Sequence, residues 1–120
     1  MAGQWQAALE HLADARRLAD DTGDRWFQAE TVRVTGDVRL AMGDPPAAEA
    51  GYREAVAIAQ RQNAKLWELR ATTSLARLWR AEGKGTEARD LLAPVYGWFT
   101  EGFGTPVLQE AKALLEELAV

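Results

Sequence analysis

Cysteine is absent from the 120-residue chain and histidine occurs once, at His11. Without cysteine there can be no disulfide scaffold, thiolate zinc site, iron–sulfur cluster or cysteine nucleophile. A single histidine leaves no multi-histidine metal site and few acid–base relays. No catalytic residue, metal or other cofactor is therefore expected, and the chain does not read as an enzyme. Long apolar runs are missing too, because Arg, Glu or Asp interrupts every apolar stretch, so no membrane span is expected. The opening Met-Ala-Gly-Gln-Trp-Gln lacks the basic and apolar segments of a signal peptide, which leaves a cytoplasmic location as the expectation. Positive charge is in deficit: 14 Lys and Arg against 18 Asp and Glu give −4, the wrong sign for a nucleic-acid partner.

What is present is helix-forming residues in a repeating order. Gly3, Gly43 and Gly83 are spaced by forty, and Ala8, Ala48 and Ala88 follow each of them by five. Ala15, Ala55 and Val95 keep the same register, as do Ala19 with Ala59, Ala71 with Ala111, and Leu75 with Leu115. Small residues at fixed spacing let helices approach closely, while glycine ends one helix before the next begins. Alanine is abundant, Leu, Arg, Glu and Gln are frequent, and no segment alternates with period two, so the fold class is all-α. Six helices are predicted, over about 4–21, 25–41, 45–62, 65–82, 86–99 and 106–119. Asp44 before Pro45 and Thr105 before Pro106 read as N-caps with proline in the first turn. Pro94 falls inside the fifth helix, where its missing N–H predicts a kink.

Paired helices with Val32, Gly36, Gly43, Ala48, Tyr52 and Ala55 in one unit resemble the tetratricopeptide repeat (TPR). Thr72, Leu75, Ala76, Trp79, Gly83, Ala88, Leu92 and Val95 carry the same pattern in the next. The usual period is 34 rather than forty, and the aromatic expected early in the first helix is replaced by Val32 or Thr72. The run from Leu66 to Trp79, with Ala88 to Phe103, Thr105-Pro106 and Glu110 to Leu115, is similar to the C-terminal end of bacterial adenylate/guanylate cyclase-like proteins that carry a P-loop ATPase module. The resemblance implies a TPR-like right-handed α-solenoid. It would comprise a half repeat over about 3–24, repeats over about 25–63 and 64–100, and a capping helix over about 105–119. It also implies a non-catalytic interaction or scaffold module, the C-terminal segment of a larger signalling protein. None of that family's cyclase or nucleotide-binding residues falls in this segment. In this register the first repeat lacks its opening helix, so Trp5, Leu9, Leu12 and Leu18 should seek a partner. That makes self-association as a homodimer, or an intramolecular regulatory contact, the alternative function.

Local motifs that suggest chemistry have simpler explanations. Gly83-Lys84-Gly85-Thr86 lacks the upstream glycine and following Ser or Thr of a phosphate-binding loop, and reads as a turn. Gly102-Phe103-Gly104 is too short for a dinucleotide fingerprint. Asp20, Asp21 and Asp24 lack the ligand pattern of a calcium loop, and Glu116 and Glu117 diverge on their helix. His11, among alanines, reads as a surface or packing residue.

The candidate site is a surface. In tetratricopeptide repeats the first helix of each pair lines the concave groove, which implies inward positions at Glu30, Arg33 and Asp37 on one helix and Arg70, Thr73 and Arg77 on the next. The last three share one helical face. Lys65, Arg70, Arg77 and Arg80 against Glu68 make residues 65–80 a local +3, whereas residues 1–24 and 101–120 are each −3. A basic strip between acidic ends suits a protein or peptide partner, an acidic one above all. The competing reading is that these charges pair within the fold, Arg33 with Glu30 and Asp37. Of five tryptophans, Trp26 and Trp98 are expected to be exposed and Trp5, Trp67 and Trp79 to pack between helices.

Overall fold

The computed structural model describes residues 2–23 and 27–119. Six helices follow one another: α1 (Ala2–Thr22), α2 (Gln28–Ala41), α3 (Pro45–Arg61), α4 (Lys65–Ala81), α5 (Gly85–Gly97) and α6 (Pro106–Leu118). There is no strand among the described residues. The sequence locates α3, α4 and α6 to within a residue at each end. The fifth helix stops short of its expected end, so Phe99 lies beyond it. Residues 24–26, with Trp26 and Asp24, lie outside the described residues.

The turns explain the forty-residue period. Left-handed backbone occurs at Gly23, Gly43, Asn63 and Gly83, with φ of 76°, 84°, 53° and 82°. These positions are twenty residues apart, so the structural unit is one helix and one turn, and forty residues make a pair. The same hydrogen bond closes three turns: Asp44 N–H to the Arg39 carbonyl, Ala64 to Ala59, and Lys84 to Trp79, at 3.0, 2.9 and 2.8 Å. A glycine in the left-handed region carries no Cβ penalty and lets the helix end in this hydrogen-bonded form. Asn63 does the same work without being glycine, which hides the unit's true length from a search for glycines.

Capping follows the sequence in one case and departs from it in another. The Asp44 carboxylate accepts from Ala47 N–H at 3.2 Å, as expected for an N-cap. Thr105 occupies the N-cap position of α6, but its hydroxyl donates to the Gly102 carbonyl at 2.8 Å instead. The hydroxyl thereby braces the preceding turn, leaving Pro106 to start the helix without a side-chain cap. α5 continues through Pro94 and ends at Gly97, one turn beyond it.

Packing is arranged in two layers. Each helix packs against the next, and α4 also touches α2 and α6, whereas α1, α3 and α5 make no backbone approach to one another. The even-numbered helices thus form one contiguous layer, and the odd-numbered ones lie across it with clefts between them. α4 is the centre: Leu69 and Ala76 join Ala88, Leu92, Leu108, Ala111 and Leu114 in one cluster, Ala71 joins Ala29, Val32, Ala55, Ile58 and Ala59 in a second, and Leu75 and Leu78 join Ala48 and Tyr52 in a third. The alanines at repeat positions 48, 55, 59, 76, 88 and 111 are all fully buried. Their short side chains are what allow the close approach. At the α2–α3 crossing the contact is closer still, since a Cβ built on Gly51 would lie 3.3 Å from the Cα of Gly36. The Cα radius of gyration is 14.6 Å in a body of 40 × 31 × 22 Å, slightly more extended than the roughly 13.6 Å of an ideally compact chain of this length.

α1 is held least. Among its described residues only Ala19 is buried, and Leu18 is 64% exposed. Trp5, Leu9 and Leu12 are half-buried. Trp67 and Trp79 are half-buried as well, so the tryptophans pack against the core without being enclosed by it, and Trp98 is exposed as expected.

Candidate functional site

Four of the six candidate surface residues meet where α2 lies against α4. The register that places Glu30, Arg33 and Asp37 three and four residues apart puts them on one stripe of α2. The Arg33 guanidinium donates to both carboxylate oxygens of Glu30, Nε to Oε2 at 3.0 Å and Nη2 to Oε1 at 2.7 Å. Its remaining nitrogen, Nη1, reaches Asp37 Oδ2 at 3.0 Å and Ser74 Oγ on α4 at 3.4 Å. Arg70, across the interface, stands 3.4 Å from the same Glu30. The fork geometry of arginine is what lets one side chain hold two carboxylates and a hydroxyl at once. The hydrogen bonds and charge of Glu30 hold the Arg33 guanidinium protonated beyond its usual range.

Tyr52 on α3 completes the network. Its hydroxyl donates to Asp37 Oδ1 at 2.5 Å, and burial together with that bond raises the phenol above its ordinary range. Asp37 thereby joins α2, through Arg33, to α3. Beside it a shallow pocket of about 210 Å³ is lined by Asp37, Leu40, Tyr52, Ser74, Arg77, Leu78 and Ala81.

Thr73 and Arg77 are placed differently. Thr73 is 3% exposed and its hydroxyl donates to the Leu69 carbonyl at 2.8 Å, so it does not reach the surface. A threonine can satisfy its hydroxyl on its own helix, and α4 has neighbours on nearly every side, which is why this position closes over. Arg77 is half-exposed and pairs with Glu110 of α6 at 3.3 Å. Arg80 pairs with Glu117 of the same helix.

Part of the uneven charge of the sequence is thus matched inside the fold, the basic side of α4 against the acidic C-terminal helix. Three basic residues of α4 pair with acidic residues of its flanking helices, Arg70 with Glu30 on one side and Arg77 and Arg80 with Glu110 and Glu117 on the other, while Lys65 pairs with Glu68 on α4 itself. Glu110 carries no local signal, because the contact spans 33 residues. Tyr52 is recognisable as a core residue from its spacing, but only the crossing of α2 and α3 shows that its hydroxyl is functional in the network. His11 lies exposed on α1, and Gly83 and Lys84 lie in the α4–α5 connection, with Gly85 and Thr86 opening α5. No helix among the described residues is long and apolar enough to cross a membrane.

Comparison with known proteins finds no match to any family model, curated protein or solved structure.

Proposed function

We propose that the chain is a non-catalytic protein–protein interaction module, a TPR-like right-handed stack of helix pairs that presents its even-numbered helices to a partner. The observation that carries this reading is the layering. The backbones of α2, α4 and α6 approach one another in sequence while those of the odd-numbered helices do not, so one face is continuous and the other is notched. α1 and α3 are joined across the notch by the Arg16–Glu54 ion pair at 2.6 Å. A rigid preformed face binds with little ordering cost. The charges on it are paired but accessible: Arg70 and Arg77 keep about half of their side-chain surface in solvent. Ion pairs at that exposure contribute roughly 0–1 kcal/mol, so an incoming carboxylate can exchange with Glu30 or Glu110 at small cost. The matching partner is an acidic peptide or helix. In this reading the module is the C-terminal repeat segment of a larger cytoplasmic signalling protein of the cyclase/ATPase-like kind that its motifs resemble.

The test is selection of binding peptides from a random displayed library against the pure chain. Acidic peptides that lose at least about tenfold in affinity on Arg70→Ala with Arg77→Ala, with the fold unchanged by circular dichroism, support the reading. Binders indifferent to the double variant overturn it.

The alternative, a self-association module, is favoured by one observation. Leu18 on α1 is 64% exposed where its equivalent forty residues later, Ile58, is 1% exposed.

A further inference from the structure

Glu68 is a buried carboxylate whose partners do not satisfy it. The residue is 6% exposed, and its Oε1 is sealed from solvent without a hydrogen bond. Oε2 accepts from Gln60 Nε2 at 3.3 Å. Among the described residues, the cation paired with Oε1 is the Lys65 ammonium, at 3.5 Å and not aligned to donate. An ionised carboxylate in such a place is costly unless it is fully paired and hydrogen-bonded.

The side chain lines a cleft of about 200 Å³ between the first turn of α4 and the last turn of α5, together with Lys65, Pro94, Val95 and Trp98. Trp98, 58% exposed, forms the outer wall, and the Lys65 ammonium lies 5.4 Å from its ring centroid. A buried carboxylate at the base and an indole face at the rim are the two groups that recognise an organic cation. Lys65 sits between them with its side chain still 39% exposed, touching both weakly.

We propose that this cleft is a recognition site for an arginine side chain of a partner protein, with Lys65 as the internal plug that arginine displaces. A planar guanidinium can do at once what the ammonium does not. It donates in parallel to a carboxylate, which supplies the hydrogen bond missing at Oε1, and it stacks on indole through its flat face. The aliphatic edges of Pro94 and Val95 suit the methylene stem. Glu68 and Arg70 are two residues apart on α4, about 200° around the helix, so this cleft and the acidic-partner face are separate surfaces. The inference goes beyond the proposed function, and either can fail without the other.

The test is an NMR titration of the ¹⁵N-labelled chain with a blocked Gly-Ser-Arg-Ser-Gly peptide, and with the same peptide carrying citrulline, the neutral isostere. Amide shifts should concentrate at Lys65, Glu68 and residues 95–99 for arginine and be absent for citrulline. Lys65→Ala should tighten binding by about tenfold, and Trp98→Ala, a surface change that spares the core, should weaken it about as much. Glu68→Gln should abolish it while the chain stays folded by circular dichroism. Equal response to citrulline, no response from the Lys65→Ala chain, or a stronger response to a trimethyl-lysine peptide overturns the assignment.

Discussion

The ring of Tyr52 fills the space that a β-carbon on Gly36 would need: its Cε1 and Cδ1 stand 2.8 and 2.9 Å from that position. The Ala48 carbonyl closes the other side at 3.2 Å. Gly36 is buried in the middle of α2, where glycine ordinarily weakens a helix, so its value lies in the crossing rather than in the helix.

Gly36→Ala should therefore destabilise the chain. Helix propensity alone would favour alanine by about 1 kcal/mol. Forcing the Tyr52 ring aside, against its hydrogen bond to Asp37, should cost about 2–3 kcal/mol. A net loss of about 1–2 kcal/mol is expected in urea unfolding. A stabilised variant would show that α2 and α3 can separate freely.

The same tyrosine gives the protein an alkaline limit. Its phenol is raised in the folded state above the ordinary tyrosine value of about 10 by burial and by Asp37. The unfolded chain releases that proton first, so the stabilisation is fully present below about pH 10 and is lost as pH climbs toward the folded value. Between about pH 10 and 12 the wild type should lose up to about 1.4 kcal/mol per pH unit through this group. Urea midpoints across that range should fall less steeply for Tyr52→Phe, and parallel slopes would remove Tyr52 as the cause.

Arg33 and Arg77 should differ sharply although both sit in ion pairs. The Arg33 side chain is 11% exposed and holds Glu30, Asp37 and Ser74, whereas Arg77 is half-exposed and holds Glu110. Arg33→Ala should cost about 2 kcal/mol, less than for a fully enclosed pair because Glu30 and Asp37 retain some solvent. Arg77→Ala should cost less than about 1 kcal/mol. Thermal unfolding of both variants in parallel checks the ordering.

Leu18 supplies a test of self-association. If copies meet through α1, sedimentation should show a concentration-dependent dimer that Leu18→Asp abolishes without unfolding the chain. A wild-type chain that stays monomeric at high concentration would count against the contact. By contrast, Ile58→Ala should cost about 2–5 kcal/mol, since the equivalent position one repeat later is enclosed.

Periodicity and punctuation determined the helices and their buried faces. Alanine at 48, 55, 59 and 88 announces close contacts, and the glycines at 23, 43 and 83 announce the turns, because each follows from local geometry. Spacing also put Glu30, Arg33 and Asp37 on one stripe and offered their mutual pairing as the competing reading to an open binding surface. The crossings between helices decided the rest. That Thr73 is enclosed, that Glu110 and Glu117 meet the basic side of α4, and that Glu68 lies sealed beside Lys65 and Trp98 depend on which face each neighbour covers. Such contacts span tens of residues and leave no periodic trace. The net charge of −4 is a sum over the chain, and only the tertiary structure could show that its basic middle and the acidic last helix are partners.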